Sequence, residues 1–310
     1  MNEINASNII AREATTAQDK ITSLINAFLS GRNALTIKAY KQDLEAFALF
    51  LNAGAVIDAS RRLLSVSAGD ANALVLGYRS KMIEARLSPA TVNRRLAALR
   101  ALVKLARTLG IVSWSLEIEN IKNDSYRDLR GPGQLALRQV ISSLSQRQDP
   151  KSKRDLAILR LLHDLGLRRG EVVSLDLEHV DLASGTISIL GKGKTARISL
   201  TLPEETKTAL TNWLEVRGLA PGALFINFDR AKKGLRLTGT SLYRLTKSLG
   251  LGRPHGIRHS SITEALGLMN GNIRAVSKFS RHADTRTIQL YDDCREDLAG
   301  QVARVVARNV

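Results

Sequence analysis

Cysteine is almost absent from this chain. Cys294 is the only one, which excludes an internal disulfide and any zinc site built on several thiolates. Long apolar runs are missing too: no uninterrupted stretch reaches the about 18 residues that a membrane-crossing helix needs. Met1 to Arg12 lacks the apolar core of a secretory leader. Internal repeats and low-complexity tracts are also lacking. Acidic residues are scarce, with 29 Asp and Glu against 46 Lys and Arg, a net charge of +17 and a pI near 10.4. Such a surplus gains free energy by releasing counterions from a polyanion, and the binding weakens steeply as salt rises. The expected partner is therefore nucleic acid and not a membrane, and the expected location is the cytoplasm.

The 310 residues, 44% of them hydrophobic, are enough for two domains. Asn123 to Gly133 mixes charges with Gly, Pro and Gly and shows no sustained period, so it reads as the boundary. The expected organisation is a tail at 1–16, a first domain at 17–125, a linker at 126–133 and a second domain at 134–310. Both halves are basic: residues 1–125 carry 16 Lys/Arg against 11 Asp/Glu, and the rest 30 against 18.

Before the boundary the period is helical. Tyr40, Leu44, Phe47 and Leu51 form one amphipathic stripe. Ser88-Pro89 supplies an N-cap and a first-turn proline for a helix that buries Val92, Leu96, Leu99, Val103 and Ala106. Beside that face run Arg94, Arg95, Arg100, Lys104 and Arg107 with no acid among them, a ridge suited to phosphates as well as to solvent. After the boundary the pattern is mixed. Leu156, Leu159 and Leu162 mark a helix ending near Gly166. Thr186–Leu190 and Ala196–Leu200 read as two strands joined by a glycine-rich turn that carries Lys192 and Lys194. Helices are expected over Thr240–Leu249, over Ser260–Leu268 and from Asp297 onward. The fold class that follows is mainly α with a small β-hairpin.

The second half also concentrates phosphoryl-transfer chemistry. Tyr291 offers a phenol whose ordinary pKa of about 10 requires nearby positive charge or a base before it attacks phosphorus. Arg168 and Arg258 offer guanidinium forks for the non-bridging oxygens on which charge accumulates. Glu171, three residues after Arg168, can orient that guanidinium or serve as an ordinary first-turn carboxylate. A departing 5′-oxygen must collect a proton, from Lys192 or His255, with Lys194 a rival. His282 is placed to bond a non-bridging oxygen or the nucleophile, whereas His163, His179 and His259 read as structural and Arg169 as a surface or backbone-phosphate residue. Gly193-Lys194-Thr195 is not the end of a nucleotide-binding loop, since the glycine needed five residues earlier is Ser188. Asp292-Asp293 lacks metal-ligand spacing, so neither a metal nor another cofactor is expected.

These residues, in this order, resemble the tyrosine recombinases, also called the phage integrase family. Gly-Leu-Arg-x-x-Glu corresponds to Arg168 and Glu171, Gly-Lys-Gly to Lys192, His-x-x-Arg to His255 and Arg258, and the later histidine and tyrosine to His282 and Tyr291. The resemblance implies a SAM-like core-binding domain from Thr36 to about Lys122 and a catalytic α+β domain from Gln134. It also implies that Tyr291 forms a 3′-phosphotyrosyl bond at a specific duplex site and frees a 5′-hydroxyl, without ATP or metal. Four protomers would join two duplexes in the synaptic complex, each clamping DNA between its two domains, in a nucleoid-associated enzyme of a mobile element with or without accessory directionality factors. Leu298, Val302 and Val305 form a terminal stripe for docking on the same or a neighbouring protomer. One departure is visible: the second histidine follows Ser280-Arg281, where the family pattern has Leu-Gly. The competing functions are related strand transfer by a type IB topoisomerase or telomere resolvase, and DNA-binding architecture or regulation without catalysis.

Overall fold

The computed structural model describes residues 20–31, 33–122, 131–191, 194–282, 288 and 298–308. Residues 1–16, with the expected tail, lie outside them. The described residues fall into two compact units, the first ending by Ser125 and the second beginning at Tyr126.

The first unit is all helical: α1 (20–28), α2 (Ala34–Phe50), α3 (Val56–Leu64), α4 (Ala68–Glu84) and α5 (Pro89–Thr108). Short polar side chains begin three of these helices. Asn33, Ser67 and Ser88 accept the backbone N–H of Leu35, Asp70 and Thr91, satisfying donors that a first turn otherwise leaves open. Leu44 and Phe47 of the expected stripe are buried, and so are all five apolar residues assigned to α5. They meet Leu24, Phe28, Leu63, Val75 and Tyr78 in one core.

The chain leaving α5 is laid back on its own unit through Leu116 and Ile118, both buried. Polar clips hold it. Asn93 donates to Ile121 O and accepts from Ile121 N, both at 2.9 Å, while Asn72 accepts from Glu117 N at 2.8 Å. Arg100 donates to Ile118 O and, at 2.7 Å, to Asn120 Oδ1.

In the second unit, α6 (Gln134–Ser145), α7 (Pro150–Asp164), the short α8 (Arg169–Val173), α9 (Glu204–Arg217), α10 (Gly239–Ser248), α11 (Pro254–Leu268) and α12 (Ile273–Ser280) accompany a three-stranded antiparallel sheet. Its order is β1 (Val180–Asp181), β2 (Thr186–Leu190), β3 (Arg197–Thr201), with Ile187 opposite Leu200 and Ile189 opposite Ile198. Alternation puts Ile187 and Ile189 of β2 into the core while Thr186 and Ser188 stay half-exposed. Helix α7 is the hub, packing on α6, α9 and α11. Around it lie Leu159, Leu162, Leu210, Trp213 and Phe225, and Trp213 satisfies its indole by donating to Leu224 O at 2.9 Å.

Two elements differ from the sequence expectation. Helix α11 begins at Pro254, six residues before the expected Ser260, because proline at its first position needs no amide partner. This places His255 and Arg258 in its first turns. The two-residue β1 was not expected, since so short a strand exists only through its pairing with β2. A last helix spans Leu298–Ala307, with Val305 exposed.

The link between α7 and α8 turns at Gly166, whose φ of +53° is a left-handed conformation. A Cβ there would lie 3.3 Å from the Phe279 ring and 3.8 Å from Arg258 Nη1. Gly166→Ala is expected to lower stability by about 1–2 kcal/mol from the backbone alone, read as a loss of a few degrees in the thermal midpoint of unfolding. An unchanged midpoint contradicts the requirement for glycine.

Candidate active site

Helices α7 and α12 both end at one place. The last carbonyls of a helix have no partner within it and carry the negative end of its dipole, so they attract cationic donors. Three arginines supply these. Arg258, from α11, donates to Gly166 O through Nη1 and to Ser280 O through Nη2. Arg281 donates to Leu165 O (3.0 Å), Phe279 O (2.9 Å) and Gly166 O (2.9 Å). Arg168, at the N-cap of α8, donates to Arg281 O at 3.3 Å.

Glu171 anchors this cluster. Its carboxylate is nearly inaccessible and accepts from Arg168 N and Arg168 Nη1, both at 2.8 Å, and from Arg281 Nη2 at 3.2 Å. Two guanidinium groups thus engage one carboxylate, with Arg258 close by on the carbonyls of Gly166 and Ser280, and this surplus of cations favours an added anion. Burial, only partly opposed by Glu171, lowers the Arg281 pKa, and Arg168 lowers it further. Arg168 remains partly accessible, with 29% of its side chain exposed. Arg258 is only 1% exposed, so it differs from an outstretched fork: its charge enters the site from within the fold.

His282 follows Arg281 directly. Burial, and then the charges of Arg258, Arg168, His255 and Arg281, push its pKa down to about 4, so the ring is neutral at physiological pH. Its Nδ1 lies 2.9 Å from Ser280 Oγ, and Ser280 Oγ donates to Ser277 O at 3.3 Å. A serine whose proton is committed in this way accepts from Nδ1–H, which assigns the lone pair to Nε2. His255 is exposed in the first turn of α11, where helix N–H groups favour anions.

Arg168, Glu171, Arg258, His255 and His282 are therefore brought to one neighbourhood. Lys194 is exposed beside the β2–β3 turn. Lys192 and Tyr291 lie outside the described residues, as do Asp292 and Asp293. The sequence reading assigned no role to Arg281, whose only signal was the departure before His282. The remaining histidines serve the fold: His163 bonds Asp164 (2.8 Å) and Glu264 (3.1 Å), His179 accepts Asp176 N, and His259 lies buried on α11 with Thr263 Oγ1 at 3.4 Å. Asp176, Glu178 and His179 place metal-type ligand atoms close together, but Asp176 is paired with Arg236 and His179 caps the turn.

On α5, in the first unit, the basic ridge has partners that the helical pattern alone did not show. Arg94 and Arg95 face the buried Asp43, at 2.6 and 3.9 Å. Burial raises the Asp43 pKa, and the two arginines work against that rise. Arg100 holds the segment after α5 as described above. Lys104 and Arg107 are exposed.

Comparison with known proteins identifies the family. The phage integrase family model matches residues 136–297, and the phage integrase N-terminal SAM-like domain model matches residues 23–109. A tyrosine recombinase of Synechocystis sp. is 38% identical over 254 residues, covering 79% of this chain and 81% of the relative. One of Synechococcus elongatus is 39% identical over 291 residues, covering 89% and 90%. The fold is similar to that of XerH site-specific recombinase bound to palindromic difH substrate, with a TM-score of 0.64, 20% identity and coverage of 89% of this chain and 81% of that one. Matched in both halves, the chain belongs to the phage integrase family of tyrosine recombinases.

Proposed function

We propose that this tyrosine recombinase breaks and rejoins duplex DNA at specific sites with Tyr291 as its nucleophile. The observation that carries the reading is the convergence of Arg168, Arg258 and His282 on the carbonyl ends of α7 and α12. A phosphodiester placed there meets two fixed cations and a neutral imidazole. As the Tyr291 oxygen bonds phosphorus, the P–O5′ bond breaks, and Arg168 and Arg258 stabilise the charge gathering on the non-bridging oxygens. The Nε2 of His282 accepts a hydrogen bond or proton from the phenol, while Lys192 or His255 protonates the leaving 5′-oxygen. The covalent 3′-phosphotyrosine retains the energy of the broken ester, and a 5′-hydroxyl of the partner duplex completes the exchange by attacking it.

The net charge of +17 supports a DNA partner. Lys104, Arg107 and Lys194 are accessible for phosphate contacts, and Arg94, Arg95 and Arg100 extend the same charge on α5. We assign residues 17–125 to core binding, 126–133 to the linker and 134–310 to catalysis. The further reading is a cytoplasmic, nucleoid-associated enzyme of a mobile element that acts as a homo-tetramer on DNA. Among the described residues no helix is long and apolar enough to cross a membrane. The similarity to named tyrosine recombinases favours recombination over the topoisomerase, resolvase or non-catalytic alternatives.

On a nicked suicide duplex in EDTA, the wild-type protein is expected to become covalently attached and Tyr291→Phe is not, as read by a denaturing gel. Arg168→Ala is expected to retain DNA binding and to cleave about 10²–10³-fold more slowly, the usual effect of losing one transition-state donor. If the wild type binds this duplex without being trapped, the catalytic reading is lost.

A proton titration tests the site separately. His282 of the free protein is expected to titrate near 4, well below the ordinary value of about 6.5, as measured by NMR on isotope-labelled histidine. Because the folded pKa is the lower one, the unfolded chain binds more protons between these values, and His282 costs stability as pH falls from about 6.5 toward 4. His282→Asn is therefore expected to lose less stability over that window, and an equal loss contradicts the depressed pKa.

A further inference from the structure

We propose that Arg281 is a positioning residue for strand cleavage, one that orients Arg168 and locks the His282 segment to the α7–α8 turn. The inference rests on the assignment of Arg168, Arg258 and His282 to the reaction centre.

The backbone supplies the first argument. Arg281 caps α12 at φ 55° and ψ 38°, a left-handed conformation. Such a position favours glycine, because a Cβ crowds the neighbouring carbonyl. A long cationic side chain is held there by its contacts. Its side chain is 11% exposed and its guanidinium reaches three separate segments: Leu165 O and Gly166 O at the end of α7, Phe279 O in the last turn of α12, and Glu171 Oε2 on α8. The contacts to Leu165, Gly166 and Glu171 span 110 to 116 residues of sequence.

Arg168 is held by the same residue in two ways. Its Nη2 donates to the Arg281 carbonyl, and its Nη1 donates to Glu171, whose other oxygen is engaged by Arg281. With both Nη atoms anchored, the planar fork of Arg168 has little freedom to turn. Arg281 also shares Gly166 O with Arg258, so one guanidinium ties together both arginines assigned to the phosphate. Its own fork engages three carbonyls and a carboxylate, the contacts of a group that positions its neighbours. Its charge adds to those bearing on His282.

The test pairs Arg281→Gly with Arg281→Lys in the full-length chain. Glycine suits the left-handed backbone and Arg168 still pairs with Glu171, so Arg281→Gly is expected to fold with a lowered thermal midpoint and, below that midpoint, to bind duplex DNA within about threefold of wild type. Covalent attachment to the nicked suicide duplex is expected to slow by about 10- to 100-fold, the scale of loss when a reacting group is misplaced by about 1 Å. The His282 titration midpoint is expected to move up in Arg281→Gly and to stay low in Arg281→Lys. The lysine keeps the charge but cannot span four acceptors, so its cleavage stays slow. Combining Arg281→Gly with Glu171→Gln is expected to cost less than the sum of the two single losses, because both act on Arg168.

Cleavage by Arg281→Gly at the wild-type rate overturns the proposal. So does a rate loss matched by equal losses of folding and DNA affinity, which is the pattern of a helix cap and nothing more. If wild type itself is not trapped, the assignment of the reaction centre fails separately. The Arg281 arrangement is then judged by the His282 midpoint alone, and an unmoved midpoint in Arg281→Gly rejects it.

Discussion

Glu171 is the one carboxylate on which the arrangement of the site depends. Nearly all of its surface is withdrawn from water, and both of its oxygens face guanidinium groups. An isolated buried carboxylate is so poorly solvated that it would be driven to take up a proton. Paired with Arg168 and Arg281, it becomes the fixed point from which those two side chains are aimed. Removing one partner from a buried ion pair typically costs about 3–5 kcal/mol, so geometry and stability are coupled here.

Carbonyl groups provide the rest of the negative potential. Two helices end against each other, and the carbonyls at their ends accept from arginine side chains. The arginines therefore do structural work and carry site charge at once, and the cluster is cationic without being loose. A second polar network ties α7 to other helices. Thr206 donates to Asp164, while His163 bridges Asp164 and Glu264, joining α9, α7 and α11. Burial lowers the His163 pKa, but hydrogen bonds to the two carboxylates prevail and raise it, and the ring braces the helices against each other.

Much of this was legible in the sequence where the determining contacts are local. Ser88, Pro89 and the apolar stripe of α5 specify a helix within 20 residues, and the alternation in Thr186–Leu190 specifies a strand. The order Arg168, Glu171, His255, Arg258, His282 was legible as chemistry, because these residue types have few other reasons to occur together. What escaped depends on distant partners. Arg94 meets Asp43 across 51 residues of chain, which turns part of an apparently free ridge into an ion pair. The start of α11 was missed because Arg253 offers no capping side chain, leaving Pro254 as the only local mark. Arg281 was visible as a departure, yet its acceptors at Leu165 and Gly166 come from another helix end.

The separation between those acceptors and their donors also sets when the centre can exist. During synthesis, the carbonyls at residues 165 and 166 emerge long before the arginines at 258 and 281 that satisfy them, and domains complete their folding as units. A nascent chain halted short of residue 281 lacks one of the three guanidinium groups and cannot assemble this cationic centre. The cationic centre therefore arrives only with the last part of the fold, as one event and not by stages.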